Sequence, residues 1–286
     1  MLAEECLDIE STGSQIIRSQ IDVPNGRGVL LLYMSNTRSG TRSGPTQFFF
    51  AILLLFFTAW ATGEAAQWLL RWRAQRLLDD VRALTVDRSQ WADVQPMVRR
   101  WAKWGAPSGA CTPDSCIYRI NLMQTLPPFL AGTPDGSARN WLPKIAQDLG
   151  LRSTAAHAGF TVEHGVVATK WFGEQVTLPV QDWSLSNNYI PYLSVLSGES
   201  SKFRASGKDT PLSHLNRTVL HTNSYMVVSF TPQEDPVERA ALMDFQFSCI
   251  TQLTPCASER DILYEAWRMS QEQENSSHNP QTPRTR

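Results

Sequence analysis

The run Phe48–Ala61, FFFAILLLFFTAWA, constrains this 286-residue chain more than any other stretch. It carries no charge and no proline, and eight of the eleven residues from Phe48 to Thr58 are Phe or Leu. A core helix of a globular domain normally keeps one polar face. This segment keeps none, so it needs an apolar environment on every side. Extended to Thr46–Ala66 it holds 21 residues, with Gln47 near one end and Gly63 and Glu64 near the other. About 20 apolar residues at ~1.5 Å each match the hydrocarbon core of a bilayer. The spacing therefore predicts a transmembrane helix over 46–66, acting as a signal anchor. Glu64 falls where an interface would begin and its charge could stay hydrated. Trp60, Trp68 and Trp72 then form an aromatic belt, followed by Arg71, Arg73 and Arg76.

A cleavable signal peptide is the alternative. Counted from Met34 as a second start, Arg38 and Arg42 make a basic region and Phe48–Thr58 an apolar one. Ala59-Trp60-Ala61 then resembles a cleavage site. The protein would then be secreted. Basic residues flank the segment on both sides, so loop charge does not orient it. Cysteines and sequons do better. Cys111, Cys116, Cys249 and Cys256 lie after the segment, as do the acceptors Asn216 and Asn275 in Asn-x-Ser/Thr sequons; Cys6 stands alone before it. Paired thiols with glycan acceptors suit an oxidising compartment. The expectation is a cytosolic N-terminus and a C-terminal domain in the secretory lumen or outside the cell.

Whole-chain averages conceal this asymmetry. Mean hydropathy is −0.27, close to that of a soluble globular chain. The 26 Lys+Arg nearly cancel the 27 Asp+Glu. A balanced charge offers no concentrated basic surface for nucleic acid, so nucleic-acid partners are excluded on electrostatic grounds.

Four regions follow: a polar segment over 1–45, the helix over 46–66, an α+β domain over 67–271, and a polar tail over 272–286. Segment and tail are expected to be disordered. In the domain, Leu70, Ala74, Leu77, Leu78, Val81 and Leu84 recur at helical spacing. Ser89 is placed to cap a second helix to about Trp104, kinked at Pro96. These make a membrane-proximal helix pair. After Gly105 the period becomes two. Strands are expected at Tyr118–Leu122, at a hairpin turning on Glu163-His164-Gly165, and at Glu174–Leu178, Tyr225–Phe230 and Met243–Ile250. Ser258 and Asp261 then open a last helix to about Gln271. An antiparallel sheet follows, with a flexible polar insertion at 197–216.

The four cysteines after the segment are the most specific chemical feature. Four residues separate Cys111 from Cys116, and six separate Cys249 from Cys256, each pair around a proline-containing turn. Two local disulfides are expected, with free buried thiols as one alternative. Six intervening residues fit a four-thiolate zinc knuckle poorly, so no metal site is assigned. His157, His164, His214, His221 and His278 show no ligand spacing. Lys208 in Gly207-Lys208-Asp209 lacks the preceding glycine and the following Ser/Thr of a phosphate loop. Among ten tryptophans, Trp91, Trp101 and Trp267 fit helix cores, while Trp171 and Trp183 are candidate exposed platforms.

The strings RAQRLLDDVRALTVDRSQWADVQPMVRRWAKWG, CTPDSCIYRI and FSCITQLTPCASERDIL resemble a family of single-pass membrane proteins of filamentous ascomycete fungi. The resemblance spans roughly residues 48–270. It implies a membrane-proximal helix pair and a strand beginning just after the first cysteine pair, and it brings no activity. The sequence expectation is thus a membrane-tethered, non-catalytic interaction module without a cofactor, whose partners are the lipid bilayer and a protein or glycan. A lumenal hydrolase with its groups assembled from distant positions is the alternative.

Overall fold

A computed structural model describes residues 45–124, 145–146, 148–178, 192–202, 213–220, 223–252, 256 and 258–278. Expectations placed on 1–44, Trp183, Lys208, His221 and 279–286 fall outside these residues. The chain divides into Met1–Phe48 and Phe49–Arg286. Of the first unit, only the opening turn of a helix belongs to the described residues. The second holds every described strand.

Helix α1 (Pro45–Ala83) runs unbroken for 39 residues. Its second half buries Leu70, Ala74, Leu77, Leu78 and Val81, the stripe that a 3.6-residue period brings to one face. Helix α2 (Trp91–Trp101) starts two residues after Ser89 rather than directly on it. The Ser89 hydroxyl is taken by the preceding turn, where it accepts from the Thr85 N–H at 2.9 Å. Gln90 holds the cap position instead, its N–H donating to Asp93 at 2.8 Å.

Among the described residues, seven strands form one sheet: β1 (Gly105–Pro107), β2 (Ser115–Gln124), β3 (Thr154–Glu163), β4 (Val166–Thr177), β5 (Tyr192–Ser200), β6 (Ser213–Leu220) and β7 (Asn223–Phe230). Their order is β1-β2-β3-β4-β5-β7-β6. The β3–β4 hairpin turns at His164 and Gly165, both at positive φ. β4 joins into one strand what the sequence pattern divides at Gly173.

The sheet is mixed rather than antiparallel, because β5 pairs with β7 in parallel. Side-chain chemistry accounts for this. β7 carries Met226, Val228 and Phe230, all buried, and so belongs inside the sheet. β6, SHLNRTVL, is more polar and suits an edge. Since β6 and β7 form an antiparallel hairpin, seating β7 against β5 leaves β6 outside. The polar insertion is consequently narrower than 197–216: Ser197–Ser200 belong to β5 and Ser213–Asn216 to β6.

One sheet face builds the core. Tyr118 stacks on Phe160 at 5.7 Å. Phe172 meets Phe245 and Phe247 edge-on at 4.8 and 5.7 Å. Those two phenylalanines stand in the stretch read from sequence as a strand at Met243–Ile250. It is instead a turn after helix α3 (Pro236–Ala241), leading into the single-turn helix α4 (Ser248–Thr251). Alternating apolar residues there reach the core by packing onto β4, without a ladder partner. Ser258 and Asp261 cap a 3₁₀ turn (Glu259–Asp261), and helix α5 (Tyr264–His278) runs seven residues beyond its expected end.

On the opposite face Trp171 lies across Gly159. A Cβ at Gly159 would stand 2.5 Å from the indole and 2.6 Å from the Tyr118 carbonyl oxygen. The carbonyl belongs to the ladder and has little room to retreat. Gly159→Ala is expected to cost about 1–3 kcal/mol, the range for overpacking. The midpoint of urea unfolding reads this; an unchanged midpoint would show that the strands can spread there.

Candidate functional site

The apolar end of α1 and its junction with the domain come first. Every large side chain from Phe48 to Phe57 is exposed, from 37% at Leu53 to 72% at Phe48. Among the described residues α1 is the one helix long and apolar enough to cross a membrane. The domain grips it from Trp60 onward. Trp60 Nε1 donates to the Leu149 carbonyl at 3.3 Å, and Gln67 Nε2 to that of Gly150 at 2.9 Å. Leu151 fits against Gly63, where a Cβ would lie 2.5 Å from its Cδ2. Trp60 therefore turns into the domain, and Glu64 is half-buried on the side of Arg152. Trp68 and Trp72 remain exposed, with the Arg71 and Arg76 guanidiniums over their rings at 5.3 and 4.2 Å.

Behind this junction lies a buried polar cluster. Arg152 donates to the carbonyls of Cys249 and Gln252, the latter at 2.8 Å. Arg71 donates to Thr251 at 2.9 Å. Glu174 of β4 is 1% exposed, and neither carboxylate oxygen has a hydrogen-bond partner among the described residues. Burial raises its pKa to about 8, opposed by the positive charge of Arg71. At neutral pH it is mainly a neutral acid, because desolvation penalises the anion more than the charge of Arg71, which makes no hydrogen bond to it, offsets.

A second charged group closes the other end of the junction. Lys170 Nζ lies 3.2 Å from Glu199, and also donates to the Leu84 carbonyl at 2.5 Å. Arg239 of α3 reaches Glu199 at 3.0 Å and the Pro232 carbonyl at 3.0 Å. Burial lowers the Lys170 pKa, against the pull of Glu199. These groups, with Arg82, Met243 and Asp244, line a cleft of about 510 Å³. Lys170 is spent on neighbouring acceptors and is poorly placed to act as a nucleophile. The arrangement ties β4, β5 and α3 together by charge, and Lys170 also donates to the carbonyls of Arg82 and Leu84 at the end of α1.

The residues singled out in the sequence lie apart from these clusters or at their edges. Cys111 pairs with Cys116 and Cys249 with Cys256, at Cα separations of 4.3 and 5.4 Å. The second pair brackets the turn that Arg71 and Arg152 hold. Asn275 is exposed on α5 and Asn216 belongs to edge strand β6. His157 lies within β3, its Nδ1 3.0 Å from Asn121 Oδ1, and burial lowers its pKa. His164 occupies the hairpin turn. Trp101 is buried, donating to Asp80 at 2.7 Å. Among the described residues, no group of three His, Cys, Asp or Glu side chains is arranged to share a metal ion.

Sequence reasoning passed over Lys170, Glu174 and Glu199. The signal was present: Ala168, Lys170, Phe172, Glu174 and Val176 share one parity of β4, so two charges stand among core positions. No known protein family, curated protein or solved structure matches this chain.

Proposed function

We propose that the chain is a membrane-tethered, non-catalytic interaction module, with Thr46–Ala66 crossing the bilayer and the α+β domain in the secretory lumen or outside the cell. The observation carrying this reading is the exposure of Phe48–Phe57 beside a domain with two disulfide-bonded cysteine pairs. Ten residues so apolar find no partner in the described fold, and lipid is the solvent that suits them. Unbroken helicity through Ala61 and the anchoring of Trp60 favour an uncleaved segment, since removal after Ala61 would discard that contact. The buried ionisable groups support a non-catalytic role, because Lys170, Glu199 and Arg239 are engaged with one another. Its partners would be lipid on one side and a protein or glycan on the other.

Alkaline carbonate extraction and glycosidase digestion of the full chain test this. The expected result is retention in the membrane pellet, with a mobility shift abolished by Asn216→Gln and Asn275→Gln together. Release into the carbonate supernatant would remove the anchor. A retained chain with no shift, and Cys6 labelled by an impermeant reagent from outside, would invert the topology.

A further inference from the structure

The grip on α1 begins too early for the domain to stand clear of a bilayer. From Thr46 to Ala59 the free helix is about 14 residues, or ~21 Å, against a hydrocarbon core of ~30 Å. The sequence before Pro45, SNTRSGTRSG, is polar and cannot lengthen the apolar run. The remaining ~9 Å must be found along Trp60–Ala65, where Leu149 and Leu151 already cover one side of the helix.

The geometry points to a lipid-docking surface: the end of the domain built by Met123, residues 145–146 and 148–151, and the free side of α1 sits within the phospholipid headgroup layer. This rests on the spanning reading above and goes beyond a simple tether, because the folded domain itself would contact lipid. Three observations converge. Met123 and Ile145, at strand and segment ends beside the grip, are exposed by 64% and 42%. On the free side of α1, apolar exposure continues past the span through Trp68, Leu69 and Trp72, about 4–11 Å beyond Ala65, the depth of a headgroup layer. Arg76 accompanies them with its guanidinium over Trp72, and Arg71, which also donates to Thr251, lies over Trp68; α1 has no carboxylate between Glu64 and Asp79. Indole rings with guanidiniums on their faces suit the boundary between acyl chains and phosphates. Asp148, exposed three residues after Ile145, limits the depth: its carboxylate belongs among headgroups, so the segment rests at the boundary and does not enter the core.

Spin-label accessibility in the full chain, reconstituted in phosphatidylcholine vesicles, tests the surface. With Cys6→Ser as background, labels go on Leu53→Cys, Met123→Cys, Ile145→Cys and Arg88→Cys. Arg88 is exposed beyond the far end of α1. At positions 123 and 145, collisions with a water-soluble nickel chelate should fall several-fold below those at 88, while collisions with oxygen rise. Equal chelate access at 123, 145 and 88, with position 53 shielded, would overturn docking and leave the span intact. Chelate access at position 53 as high as at 88 would instead remove the span, and docking with it.

Discussion

Glu174→Gln should remove a large part of the pH dependence of stability between about pH 5 and 8, leaving the share carried by Glu234, whose carboxyl burial and the neighbouring Glu238 raise to about 7. In the native chain the Glu174 carboxyl is raised to about 8 from an ordinary 4.5. Between those values the folded protein keeps a proton that the unfolded chain has released. Stability must therefore fall as pH rises through this window, by ~1.4 kcal/mol per unit, and level off above it. The full stabilising effect of protonation is present below the ordinary carboxyl range. Summed over the window the loss is on the order of 5 kcal/mol, a large share of a typical domain's stability. Gln is nearly isosteric and cannot ionise, so the variant should be more stable than the parent above pH 8 and show a clearly smaller slope. Urea unfolding in detergent at several pH values measures this. An unchanged slope in Glu174→Gln would mean that the carboxyl reaches water, or pairs with Arg71 more closely than the structure shows.

Glu199→Gln carries the next largest expected effect, in the opposite direction. Glu199 receives both Lys170 and Arg239, and its side chain is 4% exposed. Removing its charge leaves a buried ammonium facing a guanidinium, at a cost of about 3–5 kcal/mol. The cost should shrink as pH climbs toward the ordinary lysine range, because the buried amine can then give up its proton. Lys170→Met with Glu199→Leu removes that ion pair together and leaves only Arg239, which is partly exposed, so it should cost less than Glu199→Gln alone, since no buried ammonium remains unpaired. Equal losses in the single and double variants would show that packing, not charge, holds this end of the fold.

Both sites were only partly legible in the sequence. Lys170 and Glu174 occupy core parity in a strand, which marks them as unusual. Nothing local says that Glu199 waits 29 positions from Lys170, or that Arg71 of α1 comes near Glu174. Trp60 shows the same limit. Its position suits an aromatic belt, yet Leu149 takes its N–H. Met243–Ile250 misled through its alternation, because a turn packed on Phe172 can bury every second residue as well as a strand does. β7 reads as a strand over Tyr225–Phe230, whereas the first half of β6 reads as part of a polar insertion, and no pattern within either strand tells which of the two meets β5.

What the sequence determined by itself is what short-range spacing controls. The all-round apolar segment, the helical stripe from Leu70 to Val81, the turn at His164-Gly165 and the Ser258–Asp261 cap all follow from residues within a few positions of one another. Tertiary structure decided the rest: the parallel seating of β7 on β5, the burial of Glu174 with no hydrogen-bond partner among the described residues, and the attachment of the domain to α1 from Trp60 onward. Those depend on contacts between residues up to 180 positions apart, as in Arg71 and Thr251. The physical reason is that solvation is set by what the whole fold places around a group. The neighbours of a carboxylate in sequence do not reveal whether water or a helix will lie against it.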